Sequence, residues 1–395
     1  MSGPLIYVIA GEPSGDALGG RLMAALKERC GGVRFAGIGG ENMAAQGLAS
    51  LVPLHELAVM GVAEVLPRAR AIIARVTETV AEIRCLRPAA VVTIDSSGFT
   101  WRVAQRLRRA GEADLPLIHY VAPMVWAWRA GRARRMARWY DHLMVLLPFE
   151  PPYFTAVGLD CTYVGHPVVE SGADRGDGAG FRRRHAIAPE APLLTVLPGS
   201  RRGEVGRLLP PFAGAVALLA RRHPGLRVVV PTTVTAAEMV QEAVSGWAVP
   251  TLVVRGEQEK YDAFAASNVA IAASGTVALE LALAKLPAVV AYRVNPLTHW
   301  LLRRIVKVEY IHLLNLIAER EMVPELIQQD CNPERIAAEI DRLLGEDGAG
   351  AAQVKACQEA LVKLGLGVLS PSRRAADVVL SIIDRSQAQR RPTAA

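Results

Sequence analysis

Short apolar runs rich in β-branched residues recur along this chain, most of them followed by a segment with helical spacing. They are Leu5–Ala10, Val33–Ile38, Ala90–Ile94, Leu117–Val121 and Leu143–Leu147, then Leu193–Leu197, Leu226–Val230, Thr251–Val254, Val269–Ala272 and Ala288–Tyr292. A strand that is apolar on both faces must be covered by helices on both faces, which requires parallel sheets in an α/β fold. The series is interrupted near Ser171–Asp177 by a polar, glycine-rich stretch whose composition suits a linker. Two Rossmann-like domains are therefore predicted, residues 1–170 and 171–371, facing a ligand cleft at the carboxyl ends of their sheets. A last helix, at about 372–385, is free to pack back on the first domain, and the polar tail Gln387–Ala395 is expected to fray.

Composition narrows the partner and the compartment. Apolar residues make up 51% and charged residues 21%, a globular balance. No run approaches the ~18 apolar residues that a membrane span needs. Met1 leads directly into a strand without a basic flank, so no signal peptide is expected and the chain is placed in the cytoplasm. Cys30, Cys85, Cys161, Cys331 and Cys357 are scattered without ligand spacing, which argues for reduced thiols and against a disulfide framework or a zinc site. The formal charge of +7 points to an anionic partner: nucleic acid, phospholipid or a phosphorylated substrate.

Five segments can carry chemistry. Gly11-Glu12-Pro13-Ser14-Gly15-Asp16 lies between a strand and the helix expected at Ala17–Arg29, where Ser14 and Asp16 can cap and the helix N–H groups attract anions. It matches neither a P-loop nor G-x-G-x-x-G, and a plain capped turn is the stronger reading of these residues alone. Asp95 ends a buried strand in Thr93-Ile94-Asp95-Ser96-Ser97-Gly98-Phe99; it can serve as a general base toward a hydroxyl, or equally as an N-cap for a helix at Trp101–Ala110. Gly199, Ser200, Arg201 and Glu204 follow the first strand of the second half, where a small loop before a helix, with arginine beside it, suits a diphosphate. In Ser274-Gly275-Thr276-Val277-Ala278-Leu279-Glu280, Thr276 and Glu280 share one helix face, so loop N–H groups can take phosphates while Glu280 accepts both hydroxyls of a ribose.

The fifth segment runs from His119 to Arg129 and on through Arg132, Arg134, Arg135 and Arg138, with Trp126 and Trp128 inside it. Arginine beside tryptophan suits nucleic acid or an anionic lipid surface. Neither domain shows a recognisable nucleic-acid module, so a membrane surface is the expected partner and nucleic acid is not. His119 is read as structural.

Taken in order from about residue 8 to about residue 331, the segments resemble the lipid-A-disaccharide synthases. The resemblance rests on Gly11–Asp16, Ala58–Leu66, His119–Arg129, Leu147–Glu150, Val164–Pro167, Leu197–Glu204, Ala273–Leu281, Asn315–Ala318 and Pro324–Gln328. It implies a GT-B type, two-domain glycosyltransferase. The implied reaction joins the UDP-2,3-diacylglucosamine donor to a lipid monosaccharide acceptor, 2,3-diacylglucosamine 1-phosphate. Anomeric inversion would give the β-1,6 disaccharide and UDP, without metal or cofactor, at the cytoplasmic side of the inner membrane. A homodimer is a further expectation of the family.

By the same resemblance Asp95 inherits the role of general base. Arg201, Glu204, Ser274, Gly275, Thr276, Glu280, Asn315 and, more weakly, Gln328 would hold the UDP-sugar, and Met60, Gly61 and Glu64 would lie near the acceptor entrance. One departure is informative: Ser97 and Gly98 stand where many relatives carry Pro-Asp, so a second carboxylate is missing and the base role concentrates on Asp95. Two rival readings remain at this level. A UDP-sugar 2-epimerase shares the architecture and the nucleotide loops. A non-catalytic basic protein binding membranes or RNA would account for the arginine–tryptophan run but not for those loops.

Overall fold

The computed structural model describes residues 3–57, 62–127, 131–295 and 308–390. It divides into two compact units, Met1–Pro167 with Gly367–Ala395, and Val168–Leu366.

The first unit is built on a parallel sheet of β1 (Leu5–Ala10), β2 (Arg34–Ile38), β3 (Ala90–Ile94), β4 (Leu117–Tyr120), β5 (His142–Val145) and β6 (Asp160–Tyr163). Their order is β2-β1-β3-β4-β5-β6. Its helices are α1 (Pro13–Arg29), α2 (Glu41–Ala44), α3 (Val62–Leu86), α4 (Ser97–Arg109), α5 (Gly131–Met136) and α6 (Pro151–Thr155). Alternation along β1 shows why its sequence is apolar throughout. Tyr7 and Ile9 pack with Val76, Ile83, Val103 and Leu107 of α3 and α4 on one face. Ile6 and Val8 meet Leu22, Met23 and Leu26 of α1 on the other.

The second unit repeats the plan with β7 (Leu193–Leu197), β8 (Arg227–Pro231), β9 (Thr251–Val254), β10 (Val269–Ala272), β11 (Ala288–Tyr292) and β12 (Glu325–Ile327), in the order β12-β11-β10-β7-β8-β9. Its helices are α7 (Gly178–Arg184), α8 (Arg202–Arg222), α9 (Ala237–Val244), α10 (Glu257–Ala266), α11 (Thr276–Leu283), α12 (Leu313–Ala318), α13 (Pro333–Leu344) and α14 (Ala349–Lys363). Leu208, Phe212 and Leu219 of α8 and Ile336 and Ile340 of α13 cover Val196, Val228 and Ile271.

The chain then returns to the first unit as α15 (Pro371–Arg390). Ala375, Val379 and Ile383 of α15 enter the same apolar layer as α1, and burial of each of the two larger side chains stabilises the docking by about 1.5–3 kcal/mol. The helix runs on to Arg390, whose guanidinium donates to the Asp114 carbonyl, so the stretch from Gln387 to that point is ordered helix rather than the frayed tail expected.

Ser171–Asp177 also differs from the expected linker. Ala173 is buried, the Asp177 N–H donates to Asp262 Oδ1 at 2.8 Å, and a Cβ on Gly176 or Gly178 would collide with the backbone of α10. Its glycines serve close packing rather than freedom of motion.

In each sheet the chain reverses its direction of strand addition once, between β1 and β3 in the first unit and between β7 and β10 in the second. Loops leaving the carboxyl ends of strands at such a reversal diverge to opposite faces and leave a crevice, where open α/β sheets bind ligands.

Candidate functional site

At the first reversal Ala10 pairs with Ile94, so the loops that follow β1 and β3 are neighbours. They touch. A Cβ on Gly11 would stand 2.6 Å from Ser96 Cβ, a separation only glycine permits. Asp95 and Ser96 both adopt the left-handed conformation, with φ of 47° and 45°, and Val121 at the end of neighbouring β4 has φ 79°. Each such non-glycine residue costs roughly 1–2 kcal/mol, and strain of this kind gathers where function needs a fixed geometry. The turn is held by its backbone: Asp95 N–H donates to the Tyr120 carbonyl at 2.9 Å, and Thr100 Oγ1 donates to the Asp95 and Ser96 carbonyls at 2.9 and 3.0 Å. The half-buried Asp95 carboxyl is raised from the ordinary aspartate value by desolvation, against which one hydrogen bond from the Ser96 N–H works. Asp95 does not cap α4; the cap position belongs to Ser96, and the helix starts at Ser97 rather than at Trp101.

The loop after β1 differs from the expectation in detail. Helix α1 starts at Pro13 with Glu12 at the cap position and no side-chain cap, because proline fits the first helical position and starts the helix early. Ser14 is exposed and Gly15 buried within its first turn. Asp16 does not cap α1: it is 3% exposed and its oxygens accept from Gly40 N (2.7 Å), Asn42 N (3.0 Å), Asn42 Nδ2 (2.8 Å) and Met43 N (3.1 Å). Burial opposes its charge, yet these bonds outweigh that and hold its carboxyl below the usual range. Asp16 thus ties α1 to the segment entering α2.

At the second reversal Ala272 pairs with Leu197, and a cavity of about 460 Å³ opens across the carboxyl ends of β7, β8, β9 and β10. Gly199, Ser200, Glu204, Ser274, Gly275, Thr276 and Glu280 line it, together with Thr232, Arg255 and Lys260. Gly275 precedes α11 with φ 152° and no side-chain cap, which leaves the first N–H groups of that helix turned toward the cavity. Glu204 Oε2 reaches back to the Ser200 N–H at 3.3 Å and fills the space a Cβ on Gly199 would need, so it shapes the loop. Glu280 accepts from Lys260 Nζ at 2.7 Å and from Tyr261 Oη at 3.3 Å. The Thr232 Oγ1 is buried without a partner among the described residues. Sequence reading missed Lys260 and Thr232, because the Lys260–Glu280 pair joins two helices and no local spacing announces it.

A profile of the family described as lipid-A-disaccharide synthetase matches residues 6–377. A lipid-A-disaccharide synthase of Rhodospirillum centenum is 59% identical over 382 residues, 96% of this chain and 95% of that protein. This chain belongs to the lipid-A-disaccharide synthase family. As a member it is a glycosyltransferase of lipid A biosynthesis. Among solved structures, the UDP-GlcNAc 2-epimerase of Neisseria meningitidis with UDP-GlcNAc bound has a TM-score of 0.62 at 10% identity, covering 96% of this chain and 99% of that chain. Acinetobacter baumannii MurG has a TM-score of 0.53 at 14% identity, with the same coverage. These likenesses show the GT-B fold, which epimerase and transferase share, so the family match and not the shape decides between them.

Of the remaining residues expected in a lipid-A-disaccharide synthase, Arg201 is exposed at the cap position of α8, next to Ser200, and is not among the residues lining the cavity. Asn315 is fully buried and its amide is consumed internally, accepting from Met322 N (2.8 Å) and Val323 N (2.9 Å) and donating to the Val323 carbonyl (2.7 Å) and Glu325 Oε1 (2.8 Å). Gln328, at φ 57°, accepts from Val294 N at 2.7 Å and so fixes the segment leaving β11. Both brace loops beside β12 and neither lines the cavity, unlike the direct contact expected of them. Met60 and Gly61 lie outside the described residues, and Glu64 falls within α3 with its side chain outside them. In the basic run, Trp126 is half-buried edge-on to Phe149 and donates to Glu150, Arg132 lies over the Trp101 ring, and Met124, Arg134, Arg135 and Arg138 are each exposed. No helix among the described residues is long and apolar enough to cross a membrane.

Proposed function

We propose that this chain transfers a 2,3-diacylglucosamine unit from UDP to the 6-hydroxyl of 2,3-diacylglucosamine 1-phosphate, inverting the anomeric centre. One observation carries the reading: each unit presents its chemistry at its own strand reversal, a carboxylate on a strained turn in one and, in the other, a nucleotide-sized cavity that Ser200, Ser274, Thr276, Lys260 and Glu280 line.

Asp95 takes the proton of the acceptor hydroxyl as the oxygen attacks the anomeric carbon. Its raised pKa brings it closer to the operating pH and makes it a better base than a solvated aspartate. The departing diphosphate collects negative charge, which the N–H groups at the start of α11, the Ser200 loop and Arg201 stabilise. Glu280 accepts the ribose hydroxyls and Lys260 sets its orientation. Gly11 lets the loop after β1 close on Ser96 and Gly15 packs under it against Ala10 and Ile94, so that Glu12 and Ser14 are presented to the acceptor at the start of α1. Met60, Gly61 and Glu64 admit the acyl chains. Exposed Met124, Arg134, Arg135 and Arg138 rest on an anionic membrane, apolar tip inward and guanidinium groups at the phosphates.

Incubation of the protein with both lipid substrates, followed by mass spectrometry, is expected to show the tetra-acyl disaccharide 1-phosphate in step with UDP. Consumption of UDP-N-acetylglucosamine without an acceptor, with no disaccharide formed, would establish the epimerase reading instead.

A further inference from the structure

A cavity that takes a diphosphate should not be acidic, yet the described lining of this one is. Glu204, Glu257 and Glu280 line it against Arg255 and Lys260. Glu257 and Arg255 are exposed, where water and salt weaken their fields. Glu204 is turned back onto the Ser200 N–H. Glu280 is the difficult charge. It lies one helical turn into α11, about 6 Å along the axis from the start of the helix, where the phosphates are placed. Its side chain is only 17% exposed, so solvent does little to weaken its repulsion of a second anion.

Lys260 meets that charge from the neighbouring helix. Its Nζ lies 2.7 Å from Glu280 Oε2 and 4.6 Å from the centre of the Tyr261 ring, and Tyr261 Oη donates to Glu280 Oε1 at 3.3 Å. Burial, and then the Glu280 charge, raise the Tyr261 pKa, so that hydroxyl keeps its proton and stays a donor. The lysine side chain is 23% exposed, and the helix that carries it is fixed. Asp262 of α10 accepts from Asp177 N and Gln258 Nε2, both at 2.8 Å, and from Arg184 Nη2 at 2.6 Å, while Ala263 and Phe264 are buried. Lys260 is therefore held at Glu280 by the fold itself.

Ribose and diphosphate ask different things of this pair. Each carboxylate oxygen has two lone pairs, so Glu280 can accept both ribose hydroxyls with Lys260 and Tyr261 still in place. A neutral ribose feels the net charge of the pair weakly, whereas a diphosphate feels it strongly. We propose that Lys260 is the counter-ion that makes the cavity fit for a diphosphate, cancelling toward the phosphates the charge that Glu280 brings for the ribose. Lys260 then serves the charged half of the ligand as well as orienting Glu280, a role that rests on the cavity being the UDP site.

Affinities for UDP and for uridine in the full-length protein test this, the first by calorimetry and the second by NMR titration. Lys260→Met removes the charge, and Lys260→Gln removes it but keeps an N–H donor for Glu280. Both are expected to weaken UDP about tenfold and to leave uridine within about twofold, while Lys260→Arg keeps both affinities. Glu280→Gln is expected to lose more affinity for uridine than for UDP, because it removes the ribose acceptor and the repulsion of the phosphates together. Unchanged UDP affinity in folded Lys260→Met or Lys260→Gln overturns the counter-ion. Equal losses of UDP and uridine reduce Lys260 to an orienting residue and overturn it as well. An unaltered protein that binds no UDP instead removes the donor-site reading on which the role depends.

Discussion

Gly11→Ala is the substitution whose consequence the structure specifies most closely. The added methyl carbon would stand 2.6 Å from Ser96 Cβ, against the 3.4 Å at which ordinary contact begins. Rotating the Ser96 hydroxyl does not relieve this, because the clash is with the carbon next to the backbone. One of the two turns must retreat by about 0.8 Å. The loop after β1 is anchored by buried Asp16, so the displacement falls on Ser96 and on Asp95 beside it. Misplacing a reacting group by about 1 Å costs on the order of 10²-fold in rate, so kcat should fall by roughly 30- to 100-fold with donor KM little changed. Ser96→Gly removes the obstructing carbon, and glycine accepts its φ of 45°. The double variant Gly11→Ala/Ser96→Gly should therefore recover most of the lost kcat, read in the disaccharide assay with thermal unfolding as a control. The reasoning is refuted if the double variant is as slow as Gly11→Ala alone, or if Gly11→Ala turns over normally.

Other expectations follow from the same geometry. Because Asp95 must be ionised to act and burial raises its pKa, kcat/KM should begin to fall at a higher pH than the ~3.9 of a solvated aspartate, and a profile flat down to that value contradicts the assignment. Asp16→Ala strands the N–H groups of Gly40, Asn42 and Met43 and should cost the first unit about 3 kcal/mol, read as a lower urea midpoint for its transition. Since the folded Asp16 carboxyl is depressed, its stabilisation is complete above the ordinary carboxylate range and is lost as pH falls through the depressed value. Glu280→Gln should weaken UDP about tenfold by calorimetry, and an unchanged affinity would place the ribose elsewhere.

The α/β class and most strands were legible because strands buried on both faces must be written in β-branched residues. The two that escaped are edges. β6 reads Asp160-Cys161-Thr162-Tyr163 and β12 is only Glu325-Leu326-Ile327, so neither carries the continuous apolar run that two covering layers demand. Asp95 and the loops at Gly199 and Gly275 could be read because they directly follow apolar strands, where chain position fixes their place at the carboxyl edge. Asp16 misled for the opposite reason. An aspartate near a helix start has the local chemistry of a cap, and only the fold brings Gly40 and Met43 to it. Lys260 was out of reach, since it finds its partner on another helix.

The most direct test pairs two readings on Asp95→Asn: UDP affinity by calorimetry and a single turnover with both lipid substrates. If the second unit grips the nucleotide while Asp95 of the first removes the acceptor's proton, UDP binds as in the unaltered protein and disaccharide formation slows by about 10²-fold or more. Turnover close to that of the unaltered protein would show that the proton leaves by another route.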